Sequence, residues 1–360
     1  MFVTVFKEFE SVHLTKDVGM IPISASSIFG VRSKIFYLDN GGVISGYSEH
    51  VEVIPVRASS GFYFYLKVFW VLMRLRPSIV CLFHCRKSTL RFALLLRMVG
   101  LKCFVKGDMD NKMGGRLEAK YSAGGFFSLL WRRMALLSVS FITVEQDAVF
   151  SRLKGVGVLG EKVRLLPNAI EPLTVPVEPL GVRERENTIL VVGRVGAHQK
   201  NHELALEAWV ESNLNMSGWK LKICGPKTND LLDRFFADHP DCGVEYLGNI
   251  GREELFDLYS KSKVFLMTSR SEGFSIALLE AAYMGCYIVS TDIGGASQVT
   301  NGGALGSIVD GNSRSVSRAL TSTVCSGKLE GEYLDRLNYV RSEFNLRSLL
   351  SNLFYGSRFV

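Results

Sequence analysis

The 360-residue sequence has no hydrophobic run long enough to cross a bilayer and no cysteine pattern typical of a zinc site or a disulfide framework. Its most apolar stretch, residues 62–73, is too short for a membrane span and contains Lys67. The seven cysteines are widely scattered, without a Cys-x-x-Cys pair, and the first ten residues carry acids where a signal peptide would carry a basic segment. We therefore expect a cytoplasmic protein with reduced cysteines and no transmembrane helix.

Proline is scarce, and four of the nine prolines fall between residues 165 and 187. This stretch has no helical periodicity, so we predict that it links two domains. A chain of this length can bury a separate core in each of two domains. We place the first domain at residues 1–170 and the second at 171–340. The last segment, 341–360, is expected to be a helix that packs back on the first domain.

Acidic residues are few in the first half of the chain. Residues 1–170 carry 23 Lys and Arg against 12 Asp and Glu, a balance of +11, whereas residues 171–360 carry 19 against 23, a balance of −4. Between residues 67 and 133 the basic side chains alternate with aromatic and aliphatic ones, a pattern typical of helices that lie in a membrane interface. Alternatively, the apolar residues pack on a sheet and the charges are solvated. We predict binding to an anionic membrane surface, and not to nucleic acid, because the segment has no nucleic-acid-binding motif.

Short apolar segments alternate with segments of helical periodicity along most of the chain, which predicts an α/β fold with parallel sheets. The predicted strands are 2–6, 34–38, 51–56, 78–83, 102–106, 138–144, 188–195, 221–224, 244–247, 263–268 and 287–291. The predicted helices are 63–75, 90–99, 126–137, a helix from about Gln146, 202–211, 231–237, 253–260, 274–283, 313–323 and 332–350. Residues 13–22 and 113–123 are predicted to be irregular.

Polar residues follow several strands of the first half. Gly19 lies in the loop after the first strand, His84 follows strand 78–83, and Asp108 follows strand 102–106. Ligands of open parallel sheets bind at the carboxyl ends of the strands, so these residues are candidates for one binding edge. Each could equally be a capping residue.

Two features of the second half are typical of a site for an anionic ligand. Arg194 and Lys200 flank a loop that follows a strand and precedes a helix, an arrangement that can hold a diphosphate. This loop is neither a dinucleotide fingerprint nor a phosphate loop of the Gly-Lys-Ser/Thr type. Further on, Glu272 lies in the turn before an apolar helix, Glu280 lies about two turns later, and Gly294-Gly295 follows the next strand. An acid in a first turn and a Gly-Gly loop also have purely structural explanations.

The order of these features resembles the retaining glycosyltransferases of family four. In sequence, they are a strand ending in Gly193-Arg194, then Lys200-Asn201, a strand ending in Gly225, Glu272-Gly273-Phe274 with Glu280 eight positions after Glu272, and Gly294-Gly295. The resemblance is strong over about residues 160–302 and diffuse over the first domain. It implies the GT-B fold, in which two Rossmann-like domains with parallel sheets face each other across a cleft and the second domain holds most of the nucleotide-sugar donor.

The resemblance also implies roles for individual residues. Arg194 and Lys200 would bind the donor diphosphate and stabilise the leaving nucleotide, and Glu280 would accept hydrogen bonds from the ribose. Glu272 would hold the transferred sugar together with backbone amides, those of Gly273, Phe274 and Ser275. No metal and no cofactor are expected, because the cations and a helix N-terminus supply the charge that a divalent ion would otherwise supply.

Further residues are implied at the edges of this site. Gly193 and Gly225 would lie against the donor, and backbone near Ile250 would contact its base. Gly19 would belong to a first-domain loop near the phosphates and the acceptor. Asp108 stands where many members place a sugar-contacting residue, often a histidine.

The resemblance thus implies a retaining, metal-independent glycosyltransferase. The expected acceptor is a lipid-linked glycan at the inner face of a bacterial membrane, in surface polysaccharide or O-antigen assembly, because the basic apolar region 67–133 favours peripheral membrane binding. Two alternatives stay open: a sugar-nucleotide epimerase or hydrolase of the same fold, and a catalytically degenerate partner subunit.

Overall fold

The structure is a computed structural model, and it describes residues 1–39, 41, 50–122 and 133–355. The described chain forms two compact units. The first consists of Met1–Thr174 with the residues from Asn345 onward, and the second consists of Val175–Phe344. The chain therefore changes unit a few residues beyond the predicted positions 170 and 340.

The first unit contains a parallel sheet of seven strands in the order β3-β2-β1-β4-β5-β6-β7. The strands are β1 (Phe2–Val5), β2 (Ser33–Leu38), β3 (Val51–Val56), β4 (Ile79–Phe83), β5 (Cys103–Lys106), β6 (Ile142–Val144) and β7 (Val163–Leu165). Every residue of β1, β4, β5 and β6 is buried, as is typical of a parallel sheet covered by helices. The strand order reverses between β1 and β4, which makes their carboxyl ends the topological switch point of this sheet.

The helices of the first unit supply the rest of its core. They are Asp17–Phe29, Gly61–Leu75, Lys87–Met98, Asn111–Ser122, Asp147–Lys154, Gly157–Lys162 and Leu346–Tyr355. Residues 133–137 are also helical, whereas most of the predicted helix 126–137 lies outside the described residues. The helix Gly61–Leu75 shows how packing works here, because it buries Phe64, Val68 and Leu72, one residue per turn, against the sheet.

The second unit contains a parallel sheet of six strands in the order β10-β9-β8-β11-β12-β13. The strands are β8 (Glu186–Val192), β9 (Lys220–Cys224), β10 (Val244–Gly248), β11 (Ser262–Met267), β12 (Tyr287–Thr291) and β13 (Ser307–Val309). Its helices are His202–Ser212, Leu231–Asp238, Arg252–Lys261, Ile276–Tyr283, Ala296–Val299, Ser313–Cys325, Lys328–Gly331 and Tyr333–Glu343. This order reverses between β8 and β11, the switch point of the second sheet.

Three predictions of secondary structure were wrong. Residues 13–22 are not a loop, because Asp17 begins a helix that buries all its residues from 18 to 25 despite containing Pro22. Residues 113–123 are largely the helix Asn111–Ser122. The predicted helix 332–350 is two helices, since the backbone of Asn345 pairs with Ile170 of the first unit.

None of the helices in the described part of the chain combines the length and the apolar character needed to cross a bilayer.

Candidate functional site

Two loops meet at the switch point of the second sheet. One follows β8 and contains Lys200, and the other follows β11 and contains Glu272. The Arg270 N–H donates a hydrogen bond to the Gln199 carbonyl at 2.8 Å, which fixes one loop against the other. The strand order of this sheet reverses between β8 and β11. Open parallel sheets bind ligands at the carboxyl ends of the strands where the order reverses.

Glycines allow close backbone approach at this edge. A Cβ on Gly225, which has φ of 131°, would lie 2.0 Å from the Gly193 carbonyl oxygen. A Cβ on Gly193 would lie 3.1 Å from Cδ of Lys200, so the lysine side chain passes directly over this glycine. Gly225 therefore cannot carry a side chain, whereas a side chain at Gly193 would crowd Lys200.

Lys200 and Glu272 form the central contact of the site. Their Nζ and Oε1 atoms are 2.7 Å apart, and the side chains are only 19% and 10% exposed. Glu272 also accepts hydrogen bonds from Ser269 Oγ at 2.9 Å and from Gln199 Nε2 at 3.4 Å. The carboxylate is therefore held in one orientation by three donors from both loops.

Arg194 and a helix N-terminus provide further positive charge beside this pair. Arg194 is exposed in the loop that ends at Lys200. The helix His202–Ser212 begins immediately after Asn201, so its unpaired N–H groups lie at the same edge of the sheet. Two cations and a helix N-terminus thus follow one strand, which is an arrangement suited to a diphosphate.

Glu280 forms a second buried ion pair. Its carboxylate is 4% exposed, and Oε1 is 2.7 Å from Nη1 of Arg252. Burial raises the pKa of Glu280, and the adjacent Arg252 guanidinium opposes that rise. Arg252 also stacks on Phe256, with 4.6 Å between its Cζ and the ring centroid. Sequence reasoning missed Arg252, whose only signal is its position just after the turn that follows β10.

The helix that carries Glu280 begins later than predicted. It spans Ile276–Tyr283, and Ser275 is its N-cap, with the Leu278 N–H donating to Ser275 Oγ at 3.4 Å. Ser275 is extended, as N-cap residues typically are, and its N–H donates to the Gly294 carbonyl at 2.9 Å. Glu280 is consequently little more than one turn into the helix, and Glu272 lies outside it, so the two acids are not separated by two helical turns as predicted.

The Gly294-Gly295 turn packs against the residues that precede this helix. A Cβ on Gly294 would lie 2.4 Å from Cβ of Glu272, and a Cβ on Gly295 would lie 2.4 Å from the Phe274 ring. Both glycines have positive φ, 64° and 82°. The turn therefore positions Glu272, a contact that the sequence did not predict.

The remaining donor candidates lie on the same edge. Gly273 and the buried Phe274 follow Glu272 directly. Ile250 is half-buried in the turn after β10, where the Gly225 N–H donates to the Gly248 carbonyl at 2.7 Å. The structure thus gathers the predicted donor residues at the ends of four adjacent strands, β8 to β11.

In the first unit, His84 occupies the switch point in an unusual conformation. It follows β4 with φ of 61°, a left-handed value that is uncommon for a bulky residue and often marks a functional position. Its N–H donates to the Lys106 carbonyl at 2.9 Å, and its ring lies 5.6 Å from that of Phe6. Burial and the charge of Arg86 lower the pKa of His84, so the imidazole is neutral near pH 7.

A buried lysine beside His84 was missed by sequence reasoning. Lys106 ends β5, is 1% exposed, and pairs with the buried Glu145. Its Nζ also lies 3.5 Å from Oδ2 of Asp17 and 3.3 Å from Oδ1 of Asn168. Burial alone would lower the pKa of Lys106, but the charges of Glu145 and Asp17 raise it. The sequence offered two signals for this pair: a lysine ends an otherwise apolar strand, and a glutamate directly follows the next strand.

The two other first-unit candidates are placed differently from each other. Asp108 is exposed after β5, close enough for its charge to act on His84 and Lys106. Gly19 is not in a loop: it is buried in the first turn of the helix Asp17–Phe29. A Cβ there would lie 2.3 Å from the Leu14 carbonyl oxygen, so this glycine lets the preceding turn fold against the helix.

Other cofactor signals lead to no additional site. Residues 155–160 read Gly-x-Gly-x-x-Gly, yet they follow the helix Asp147–Lys154 and not a strand. They therefore lack the strand-turn-helix context of a dinucleotide fingerprint. Within the described ranges, no group of three His, Cys, Asp or Glu side chains is arranged to hold a metal ion.

Comparison with known proteins concerns mainly the second unit. Residues 177–332 match the family model described as Glycosyl transferases group 1. The chain is similar to the Amylovoran biosynthesis glycosyltransferase AmsD of Erwinia amylovora, with 33% identity over 99 residues, 27% of each chain. It is also similar to the Phosphatidylinositol N-acetylglucosaminyltransferase gpi3 subunit of Schizosaccharomyces pombe, with 26% identity over 141 residues, 39% of this chain and 31% of that protein. The matches span about a third or less of these relatives.

The similarity to solved structures, unlike the sequence matches, covers nearly the whole chain. The solved structure of Anabaena Alr3699/HepE in complex with UDP-glucose has a TM-score of 0.70 to this protein at 13% identity, covering 98% of this chain and 97% of that one. Such low identity shows the fold alone. The fold is therefore of the GT-B type, with two Rossmann-like α/β units, and the predicted fold class is confirmed.

Proposed function

We propose that this protein is a retaining glycosyltransferase that moves a sugar from a nucleotide-diphosphate sugar to a hydroxyl of a lipid-linked glycan. The observation that carries the proposal is the Lys200–Glu272 ion pair, which joins a diphosphate-type loop to a carboxylate at one switch point. The family match over residues 177–332 supports the transferase class.

Positive charge beside the donor drives departure of the nucleotide in this proposal. Arg194, Lys200 and the N-terminus of the helix His202–Ser212 face negative charge that grows on the diphosphate as the glycosidic bond breaks. Lys200, which is held by its ion pair with Glu272, and the helix N-terminus are fixed before the reaction, so they need little reorganisation in the transition state. They supply the charge for a metal-independent reaction.

Glu272 acts as a fixed acceptor for a sugar hydroxyl, not as a covalent nucleophile. Three of its acceptor positions are already occupied by Lys200, Ser269 and Gln199. A nucleophilic carboxylate needs a free oxygen aimed at the anomeric carbon. We therefore favour front-face attack by the acceptor hydroxyl, with the departing phosphate oxygen as the base.

Glu280 binds the ribose of the donor, and Arg252 positions it. The guanidinium pairs with Oε1 and opposes the rise in the Glu280 pKa that burial causes, so it favours the charged carboxylate. A charged acceptor makes stronger hydrogen bonds to two adjacent hydroxyls than a neutral acid does. In this proposal, the Glu280–Arg252 pair lies at the end of the site that binds the nucleotide.

The first unit is proposed to bind the acceptor at a membrane surface. Its helix Gly61–Leu75 exposes Phe62, Tyr63 and Trp70 at 72%, 52% and 57%, so these rings are not used for packing on the sheet. Basic residues lie on the same helix, among them Lys67 and Arg74. Exposed aromatics beside cations suit the interface of an anionic membrane and support a peripheral location at its cytoplasmic face. Polysaccharide or O-antigen assembly is the setting that we propose.

The test compares two lysines of the second unit. Lys200→Ala should abolish sugar transfer, whereas Lys222→Ala should retain it, with both variants folded. Lys222 is a matched control because it pairs with Glu186 at 2.6 Å and is 14% exposed, but it lies on β9 away from the loops. Transfer is measured with a panel of nucleotide sugars and a lipid-linked acceptor. Full activity of Lys200→Ala would overturn the proposal, and turnover of the donor without any acceptor would favour the epimerase or hydrolase.

A further inference from the structure

A cavity of about 630 Å³ opens at the switch point of the first sheet. The residues that follow β1, the end of β4 with His84, and the helices Gly61–Leu75 and Lys87–Met98 enclose it. Its volume is typical of a site for a small molecule, and its place is the one at which open parallel sheets bind ligands. The donor site described above belongs to the second unit, so this cavity has no assigned ligand.

The buried wall of the cavity is largely apolar. Val5, Phe6, Phe83 and Phe92 form its buried part, each less than 8% exposed. The polar groups of the wall are those of Tyr65, His84, Ser88 and Thr89, and the Thr89 hydroxyl donates to the Phe83 carbonyl. Nucleotides and sugars need many hydrogen-bonding partners, which such a wall does not offer. A hydrocarbon chain needs none.

The rim of the cavity carries excess positive charge. Lys7, Arg86 and Arg91 line it with one carboxylate, Glu8, which gives a formal balance of +2. Glu8 lies 3.0 Å from Arg86 and 3.6 Å from Lys7, and the hydrogen bond from Arg86 lowers its pKa. Arg91 is exposed and forms no ion pair with any described residue. An anionic group at the rim would therefore be attracted, most directly by Arg91.

The mouth of the cavity continues into exposed apolar surface. Leu66 and Leu95, which line it, are 39% and 44% exposed. Phe62, at the start of the helix that carries Leu66, is 72% exposed. Apolar wall, cationic rim and exposed aromatic surface are thus contiguous. An anionic lipid at a membrane surface matches these three features: its hydrocarbon chain suits the apolar wall, its phosphate suits the cationic rim, and the surrounding bilayer suits the exposed aromatic surface.

We propose that this cavity binds the hydrocarbon chain of the lipid-linked acceptor, with the lipid's phosphate at the Arg86–Arg91 rim. The proposal rests on the proposed function, because it names how that enzyme holds its acceptor. The glycan then extends from the rim past His84, the acceptor candidate that lines the same cavity.

The test uses farnesyl diphosphate as the probe, in buffer without membranes, with binding measured by titration calorimetry on the full chain. Farnesol supplies the chain without the charge, and inorganic diphosphate supplies the charge without the chain. We expect farnesyl diphosphate to bind at least about tenfold more tightly than either, because only it fills the cavity and meets the rim. Equal binding of inorganic diphosphate would overturn the proposal, since it would show a simple anion site.

Matched variants on one helix locate the binding. Leu95→Glu places a carboxylate in the mouth and should weaken farnesyl diphosphate binding about tenfold or more, whereas Met98→Glu, at a 75% exposed position outside the cavity, should not. Arg91→Gln should weaken binding, and Arg97→Gln, also exposed but outside the cavity, should not. Equal effects within either pair would contradict the assignment.

The outcome is separable from that of the proposed function. Donor binding by the second unit is measured in the same preparations with a nucleotide sugar. If the donor binds and Lys200→Ala removes transfer while farnesyl diphosphate does not bind, the glycosyltransferase stands and the cavity proposal fails. If farnesyl diphosphate binds in the cavity and no donor is used, the proposed function fails instead.

Discussion

His202 is a residue whose ionisation should affect stability. It begins the helix after the Lys200 loop, is 1% exposed, and neither ring nitrogen has a hydrogen-bond partner among the described residues. Burial lowers the pKa of His202 to about 4. An imidazole in this environment is stable only when neutral.

We predict that this histidine makes the protein less stable in acid. The unfolded chain binds the proton at the ordinary pKa of 6.5, and the folded chain does so only near 4, so stability is lost as pH falls through that interval. The full effect is about 3 kcal/mol. His202→Leu should flatten the pH dependence of the free energy of unfolding between pH 6.5 and 4, measured by urea denaturation. His198→Leu, at an exposed position in the same loop, should leave it unchanged; an equal change would contradict the prediction.

At the scale of the element, the Gly294-Gly295 turn is predicted to control activity through Glu272. Gly294→Ala would bring a Cβ to 2.4 Å from Cβ of Glu272 and should displace the carboxylate from Lys200. Gly302→Ala is the control, because its φ of 68° resembles the 64° of Gly294 but nothing lies within 4 Å of the added atom. Both variants bear a similar backbone cost, so the difference isolates the contact.

The expected result is a loss of transfer of at least about tenfold in kcat/KM for Gly294→Ala relative to Gly302→Ala, because a misplaced catalytic group is costly. Circular dichroism and thermal unfolding check that both variants remain folded. Similar kcat/KM values in the two variants would show that the turn does not position Glu272.

Secondary structure followed from the sequence where local pattern and packing agree. The apolar strands β1, β4 and β8 are recognisable because parallel strands are buried along most of their length. The helix Asn111–Ser122 was missed because Gly114-Gly115 is a weak helical signal, yet a Cβ on Gly114 would lie 3.0 Å from Val149, so the glycine serves close packing. Packing between distant residues has no local signature.

Some features of the candidate site could likewise be predicted from local sequence, and others depend on contacts between distant residues. Lys200 and Glu272 were predicted from loop position and family resemblance, but the two residues are 72 positions apart in the sequence, so their direct ion pair could not be read from it. Arg252 and Lys106 were missed altogether, because a charged residue at a helix start or strand end is unremarkable until burial and partners are known.

At the scale of the whole molecule, the chain leaves the first unit after Thr174 and returns to it at Asn345. A buried carboxylate joins these two segments of the first unit. Glu171 is fully buried near the end of the first segment, and its Oε1 lies 2.8 Å from both Nε and Nη2 of Arg347, on the last helix. Ser24, on the helix Asp17–Phe29, donates to its other oxygen. One acid thus joins three parts of the first unit that are far apart in sequence.

We predict that Arg347→Met destabilises the first unit by about 3 kcal/mol, because it leaves the Glu171 carboxylate buried without its cation. Glu171→Gln in the same chain should recover part of the loss, since a neutral amide costs less to bury. Arg341→Met is the control: its partner Glu178 is 87% exposed, so the change should cost less than about 1 kcal/mol. Urea denaturation followed by fluorescence and circular dichroism measures all three. If Arg347→Met and Arg341→Met shifted the midpoint equally, the buried carboxylate would not be what holds the returning helix, and apolar contacts such as that of Phe354 with Phe29 would carry it instead.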